Sequence, residues 1–298
     1  MSFSFDTKCE ICDVKIKNRC CKASLLYGMV LFAQTITPSK LKITTENVVA
    51  INLLNQLVNE ICGVNFSIGE NMNSYYAFLD GERLSVLYDN FYICNNDRLS
   101  YSISGVITEN TCCKYSFIKG AFLSGGYVSN PQSSYHFEIS TPYYSLAKNL
   151  ERFMRDLDFP AKTVVRNSNY VVYMKESAAI ERLLCLIGAN SSAFSFMDAK
   201  IYKEMNNYSN RINNTKLHNI EKTLNKSVEQ VRAIEKISKS IGLDSLDDDL
   251  KYTAELRLGN PDKSLNELVI LSGSKLSRSG LNRRLNKLIE LANSIGEK

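Results

Sequence analysis

The chain has 298 residues, with 36 Lys plus Arg against 31 Asp plus Glu and a formal charge of +5. Hydrophobic residues make up 44% and charged residues 22%, enough apolar material for a core, which excludes wholesale disorder. With only 14 Gly and 5 Pro, a collagen-like or low-complexity fibre is excluded too. The length sets a prior of about two domains.

No basic segment followed by an apolar one opens the chain, so no secretory signal is read there. The longest apolar run, Leu25 to Ala33, falls far short of the roughly 18 to 20 residues that span a bilayer. A cytoplasmic chain is expected, and its 9 Cys, an odd count, then argue against a disulfide framework. Cys9-x-x-Cys12 followed by Cys20-Cys21 has the ligand types of a structural zinc site. The pair recurs at Cys112-Cys113 with no Cys-x-x-Cys before it, however, so it is assigned to helix packing and no metal or cofactor is expected.

Cys20 to Leu31 (CCKASLLYGMVL) and Cys112 to Leu123 (CCKYSFIKGAFL) form a repeat offset by 92 residues. Each reads as an apolar helix with a central Gly. Gly there costs roughly 1 kcal/mol relative to Ala, and it suits a site where two helices approach closely. After the first copy, Leu41 to Thr45 reads as a strand and Glu46 to Ile61 as an amphipathic helix. Asn65 to Ile68, Tyr75 to Leu79 and Arg83 to Leu87 follow as strands, with Asp80-Gly81 as a hairpin turn. After the second copy, Tyr135 to Ser140 is a strand and Pro142 opens a helix to about Leu157. Lys162 to Arg166 and Tyr170 to Met174 are strands, and Ser177 to Ile187 is a closing helix. The expectation is an α+β region of two pseudo-repeated helix and antiparallel-sheet units, residues 1–108 and 109–205.

Asn206 to Lys222 is Asn-rich and reads as a linker. Ile220, Leu224, Val228, Val231, Ile234, Ile237 and Ile241 mark an amphipathic helix, stopped by Gly242. A second helix covers Leu246 to Leu258. Ser264-x-x-Glu267 is a capping box for a short helix to about Leu271. Ser277 caps a final helix from Arg278 to about Ser294, with Leu281, Leu285, Leu288 and Ala292 as its buried stripe. Residues 223–298 are thus a helical domain whose last two helices form a helix-turn-helix.

Most of the basic excess lies here: residues 211–298 carry a net +4 and the first 210 only +1. Between Ser274 and Leu288, Lys275, Arg278, Arg283, Arg284 and Lys287 meet no acid, a field that favours a polyanion. Asn282 and Asn286 suit adenine edges and Arg278 and Arg283 guanine edges. Ser264, Ser277, Ser279, Arg284, Lys275 and Lys287 complete the candidate DNA-binding set, the two lysines as phosphate contacts. His136 and His218 are the only histidines and lie in different domains, so a nucleophilic triad is not expected. Gly125-Gly126 lacks the ending of a phosphate loop and reads as a helix terminus.

The two Gly-centred helices resemble the motif of the LAGLIDADG homing endonucleases. Leu26-Tyr27-Gly28-Met29-Val30-Leu31-Phe32-Ala33-Gln34 fills its nine positions in one copy and Ile118-Lys119-Gly120-Ala121-Phe122-Leu123-Ser124-Gly125-Gly126 in the other. The eighth position holds the metal-binding acid in those nucleases. Here it is Ala33 and Gly125, neither of which offers an oxygen donor. Taken whole, the chain resembles the WhiA-type sporulation transcription regulators. The opening Ser2-Phe3-Ser4, Cys20-Cys21-Lys22, Gly120 to Gly126 with Val128-Ser129, Asn210-Arg211 with Asn214, and Leu276 to Leu285 carry the likeness. The resemblance implies a nuclease-dead LAGLIDADG-like region joined to a C-terminal helix-turn-helix, in a regulator linked to sporulation, cell division and chromosome segregation. The implied partners are promoter-region double-stranded DNA and, second, another transcription factor; neither a membrane nor a small-molecule substrate is expected. The implied location is the cytoplasm, at the nucleoid. An active endonuclease and a protein-interaction scaffold retaining both folds are the alternatives.

Overall fold

The computed structural model describes residues 2–95, 98–273 and 276–295. The chain divides into two compact units, with the boundary between Lys203 and Glu204. Each unit has its own apolar cluster.

The first unit opens with α1 (Phe3–Asp13), which the sequence pattern did not announce. Ser2 caps it, its hydroxyl oxygen accepting from the Phe5 amide at 3.2 Å. The first repeat then runs α2 (Arg19–Leu31), β1 (Thr35–Thr37), β2 (Lys40–Thr45), α3 (Val48–Cys62), β3 (Ser67–Asn71), β4 (Ser74–Asp80) and α4 (Gly81–Phe91). A two-residue pair, β5 (Cys94–Asn95) and β6 (Arg98–Leu99), leads to the second repeat. That repeat runs α5 (Thr111–Gly125), β7 (Gly126–Val128), β8 (Phe137–Thr141), α6 (Tyr144–Arg155), β9 (Lys162–Arg166), β10 (Asn169–Met174) and α7 (Ser177–Ile187). The two antiparallel sheets have the same order, β1-β2-β4-β3 and β7-β8-β10-β9. Their central registers correspond, with Ile43 opposite Ala77 in one and Ile139 opposite Val172 in the other. Both copies pack helices on one sheet face, the expected α+β arrangement.

The duplicated αββαββα order corrects three expectations. Arg83 to Leu87 is not a strand but part of α4, because Leu84, Leu87, Tyr88 and Phe91 recur at helical spacing and are all buried. Asp80-Gly81 is therefore no hairpin turn; the hairpin closes at Met72-Asn73, where Asn71 pairs with Ser74. Pro142 lies before Tyr143, the N-cap of α6, rather than at the first helical position.

The two motif helices α2 and α5 pack closely along each other. A Cβ on Gly28 would overlap the Phe117 carbonyl oxygen, and one on Gly120 the Leu25 carbonyl oxygen. The two contacts are mirror copies across the pseudo-twofold axis. They allow the backbones to approach to a distance that any side chain would forbid.

The long α8 (Asn190–Ser240) contributes its first part to one unit and its remainder to the other. Residues 206–222, read as an irregular linker, are helical and exposed. Their apolar side chains Tyr208, Ile212, Leu217 and Ile220 stay exposed. The second unit continues with a 3₁₀ turn at Leu243–Ser245, α9 (Asp248–Leu258), α10 (Leu265–Leu271) and α11 (Arg278–Ser294). No helix among the described residues is long and apolar enough to cross a membrane.

Candidate nucleic-acid interface

The geometry of α10 and α11 follows from local sequence. Ser264 and Glu267 form the capping box: the Ser264 amide donates to Glu267 Oε2 at 2.8 Å, and the Glu267 amide donates back to Ser264 Oγ at 3.4 Å. Gly273, at φ 67°, turns the chain after α10. Ser277 caps α11 by accepting from the Gly280 amide at 3.1 Å. Leu281, Leu285, Leu288 and Ala292 are buried against Ile234, Ile237, Leu250, Ala254 and Leu268. That stripe fixes the rotation of α11, so the rest of its circumference faces outward.

On the outward side, Ser277, Arg278, Ser279, Arg283, Asn286 and Lys287 are exposed and Asn282 is half-buried. Ser279, Asn282, Arg283, Asn286 and Lys287 line one shallow groove, with Glu290 at its far end. Arg284 stands apart from this row. Its guanidinium pairs with Asp249 Oδ2 at 2.6 Å and ties α11 to α9. Lys275 lies outside the described residues.

Ser264 reaches a second, larger space, a cleft of about 1070 Å³ that also takes in Lys222, Lys226, Gln230, Arg257 and Arg278. No acid lines it. Arg257 and Gln230 are each 2% exposed. Arg257 Nη1 donates to the Lys263 carbonyl at 2.7 Å and to the Asn260 carbonyl and Ser227 Oγ at 3.3 Å. Its Nε and the Gln230 Oε1 have no partner among the described residues. No carboxylate pairs with Arg257 among the described residues, and burial lowers its pKa. A buried cation of this kind is costly unless an anion joins it. The sequence reading missed this group. Its signal was the four-residue spacing of Lys222, Lys226 and Gln230, which places them on one helix face.

The two motif positions that carry the metal-binding acid in the LAGLIDADG nucleases are degenerate here. Ala33 is buried and offers only a methyl group. At Gly125 a Cβ would stand 2.6 Å from the Ser140 carbonyl oxygen, so the backbone leaves no room for an acid. The foot of the helix pair is filled by neutral hydrogen bonds. Gln34 Nε2 donates to the Ser124 carbonyl at 3.1 Å, and Ser124 Oγ donates to the Met29 carbonyl at 2.8 Å. Among the described residues, Glu46 is the one acid lining the recess there, and Lys8 lines it too. His136 lies just before β8 with Nε2 2.6 Å from Glu138 Oε2 and stacks on Tyr173; His218 is exposed on α8.

Fold and site together define a class: a LAGLIDADG-like duplicated α+β region lacking its acids, followed by a helical helix-turn-helix domain. The WhiA LAGLIDADG-like domain model matches residues 114–206, and the WhiA C-terminal HTH domain model matches residues 209–292. Probable cell division protein WhiA of Alkaliphilus metalliredigens is 32% identical over 98% of both chains. Its namesake from Bacillus licheniformis is 34% identical over 99% of this chain and 97% of its own. The crystal structure of full-length WhiA from Thermotoga maritima superposes with a TM-score of 0.59 at 21% identity, covering 100% of both chains. The chain belongs to the WhiA family.

Proposed function

We propose that this chain is a sequence-specific regulator of transcription that binds promoter-region double-stranded DNA through α11 and does not cleave it. The observation that carries this reading is the exposed row Arg278, Ser279, Arg283, Asn286 and Lys287 with the half-buried Asn282 among them, set opposite a fully apolar stripe on one capped helix. A helix so presented fits a major groove, where Asn and Arg discriminate between bases and Lys holds phosphate. Lys222 and Lys226, lining the cleft beside the N-terminus of α11, then supply backbone phosphate contacts. Residues 1–108 and 109–205 form a duplicated saddle for neighbouring DNA or a second transcription factor, and 206–222 connect it to the reading domain at 223–298. The relatives' name ties this activity to cell division, and the family resemblance to sporulation and chromosome segregation, at the nucleoid.

Chromatin immunoprecipitation of the native chain is expected to recover one recurrent motif upstream of genes. Fragments with no shared motif would remove the reading of sequence specificity. Magnesium-dependent nicking of supercoiled plasmid by the purified chain would instead restore the nuclease alternative.

A further inference from the structure

The two Cys-Cys pairs occupy equivalent places, each the second and third residues of its helix: Cys20-Cys21 in α2 and Cys112-Cys113 in α5. The packing of the two helices brings both pairs to one end of the helix pair. The Sγ atoms of Cys20, Cys21 and Cys113 all lie within 4.8 Å of one another. Cys112 is not within that distance of all three, but it neighbours the group through its contact with the Cys21 thiol. The contacts exchange across the pseudo-twofold axis. Cys20 meets Cys113 and Cys21 meets Cys112, while Ser24 faces Cys113 and Ser116 faces Cys21.

We propose that Cys20, Cys21, Cys112 and Cys113 form a tetrathiolate site for zinc that joins the N-termini of α2 and α5. Four thiol donors from two chain segments suit a d¹⁰ cation held tetrahedrally, since soft sulfur ligands select zinc over hard cations. Both helices point their positive ends at the sulfurs, which favours thiolate. Lys114 follows the second pair and adds positive charge, whereas Lys22 after the first is paired with Glu60. Cys20 and Cys112 are exposed and Cys21 and Cys113 buried, so the cluster has a route in for the metal and a dry inner side. Cys9 and Cys12 do not join it: Cys9 meets the Asn47 amide at 3.2 Å.

The chemistry balances without a redox partner. Each ligating thiol releases its proton to buffer, four Zn–S bonds form, and the cation remains divalent. The recurrence of the Cys pair, which in the sequence alone argues for packing, is in space what supplies the second half of the ligand set.

The test uses the full chain, purified under reductant without chelator. Metal analysis is expected to find about one equivalent of zinc. Cobalt added to stripped, reduced protein is expected to give thiolate-to-cobalt charge transfer with tetrahedral d–d bands. Cys112→Ser, an exposed and near-isosteric change, is expected to lose the charge-transfer intensity of one thiolate and weaken cobalt binding at least roughly tenfold. If it fails to fold, Cys20→Ser serves the same purpose, and the wild-type cobalt titration decides the question alone. Less than about a tenth of an equivalent of zinc together with no cobalt charge transfer overturns the proposal. So does isolation of the native protein with Cys20–Cys113 and Cys21–Cys112 as disulfides.

Discussion

Helices α2 and α5 differ from α11 in what surrounds them, and the difference separates two ways a helix can matter. From Leu25 to Leu31, every residue of α2 is buried, and from Ser116 to Ser124 every residue of α5 is too. They act by fitting, and Gly is required because backbone meets backbone. Helix α11 is buried on one stripe only, and its remaining faces carry Arg, Asn and Lys into solvent. It acts by what it exposes. Substitutions in the first pair therefore read out in stability, and substitutions on α11 in binding.

The largest effect is expected from Gly120→Ala, whose Cβ would overlap the Leu25 carbonyl and approach the Met29 amide at 2.9 Å. Neither backbone group can rotate away, so the helices must separate. A loss of about 3 kcal/mol or more is expected in thermal or urea unfolding. Gly28→Ala is expected to match it, because the Phe117 carbonyl and the Ala121 amide stand in the same relation. A loss below about 1 kcal/mol in both would dissolve the contrast with α11.

On α11 the order reverses. Arg283→Ala is expected to leave the unfolding midpoint unchanged and to cost about 1–3 kcal/mol of affinity for the recovered motif, with little change on random duplex. Lys287→Ala is expected to weaken both duplexes alike and to lower the salt slope by about 0.9. Equal loss on specific and random DNA for Arg283→Ala would assign that residue to phosphate rather than base.

The same contrast holds for charge. Lys8 sits in the recess at the foot of the helix pair, 5.7 Å from the Phe122 ring centroid, and burial lowers its pKa from the ordinary 10.5 to about 8. Between those values the unfolded chain holds a proton that the folded chain has released. Stability contributed through Lys8 therefore rises as pH increases from about 8 towards 10.5. Lys8→Met is expected to raise stability at neutral pH by about 1 kcal/mol, discounted for partial exposure. The difference between variant and wild type in urea unfolding should shrink across that window. A constant difference would place the Lys8 ammonium in water.

The duplicated fold was legible because its signals are local and occur twice. The CCK repeat, the alternating strands and the Ser264–Glu267 box each lie within a dozen residues. Helix α4 was not legible because Leu84-Ser85-Val86-Leu87 alternates over the short window in which a strand is judged. Its helical period needs Tyr88 and Phe91 as well. The helical state of the α8 stretch 206–222 was not read because its Asn-rich, exposed run resembles a loop. The α11 row was readable from a single helix, since stripe and opposite face follow from one period. Arg257 and the four cysteines were not, because each depends on how separate helices pack.

Arg284 gives the smallest effect and the sharpest test of that limit. Sequence places it beside Arg283 as a DNA contact, whereas the structure turns it to Asp249 on α9 at 2.6 Å. The Asp249 carboxylate is 74% exposed, so the pair belongs to the weak class of ion pairs, at about 0.2–1 kcal/mol. Arg284→Ala and Asp249→Asn are each expected to lower stability by that amount, and the double variant by no more than either alone. Specific affinity should change far less than for Arg283→Ala, since Asp249 already holds the guanidinium. If Arg284→Ala instead abolished motif recognition at unchanged stability, the ion pair would have to open on DNA. Two adjacent arginines would then share the reading that the helix rotation assigns to one.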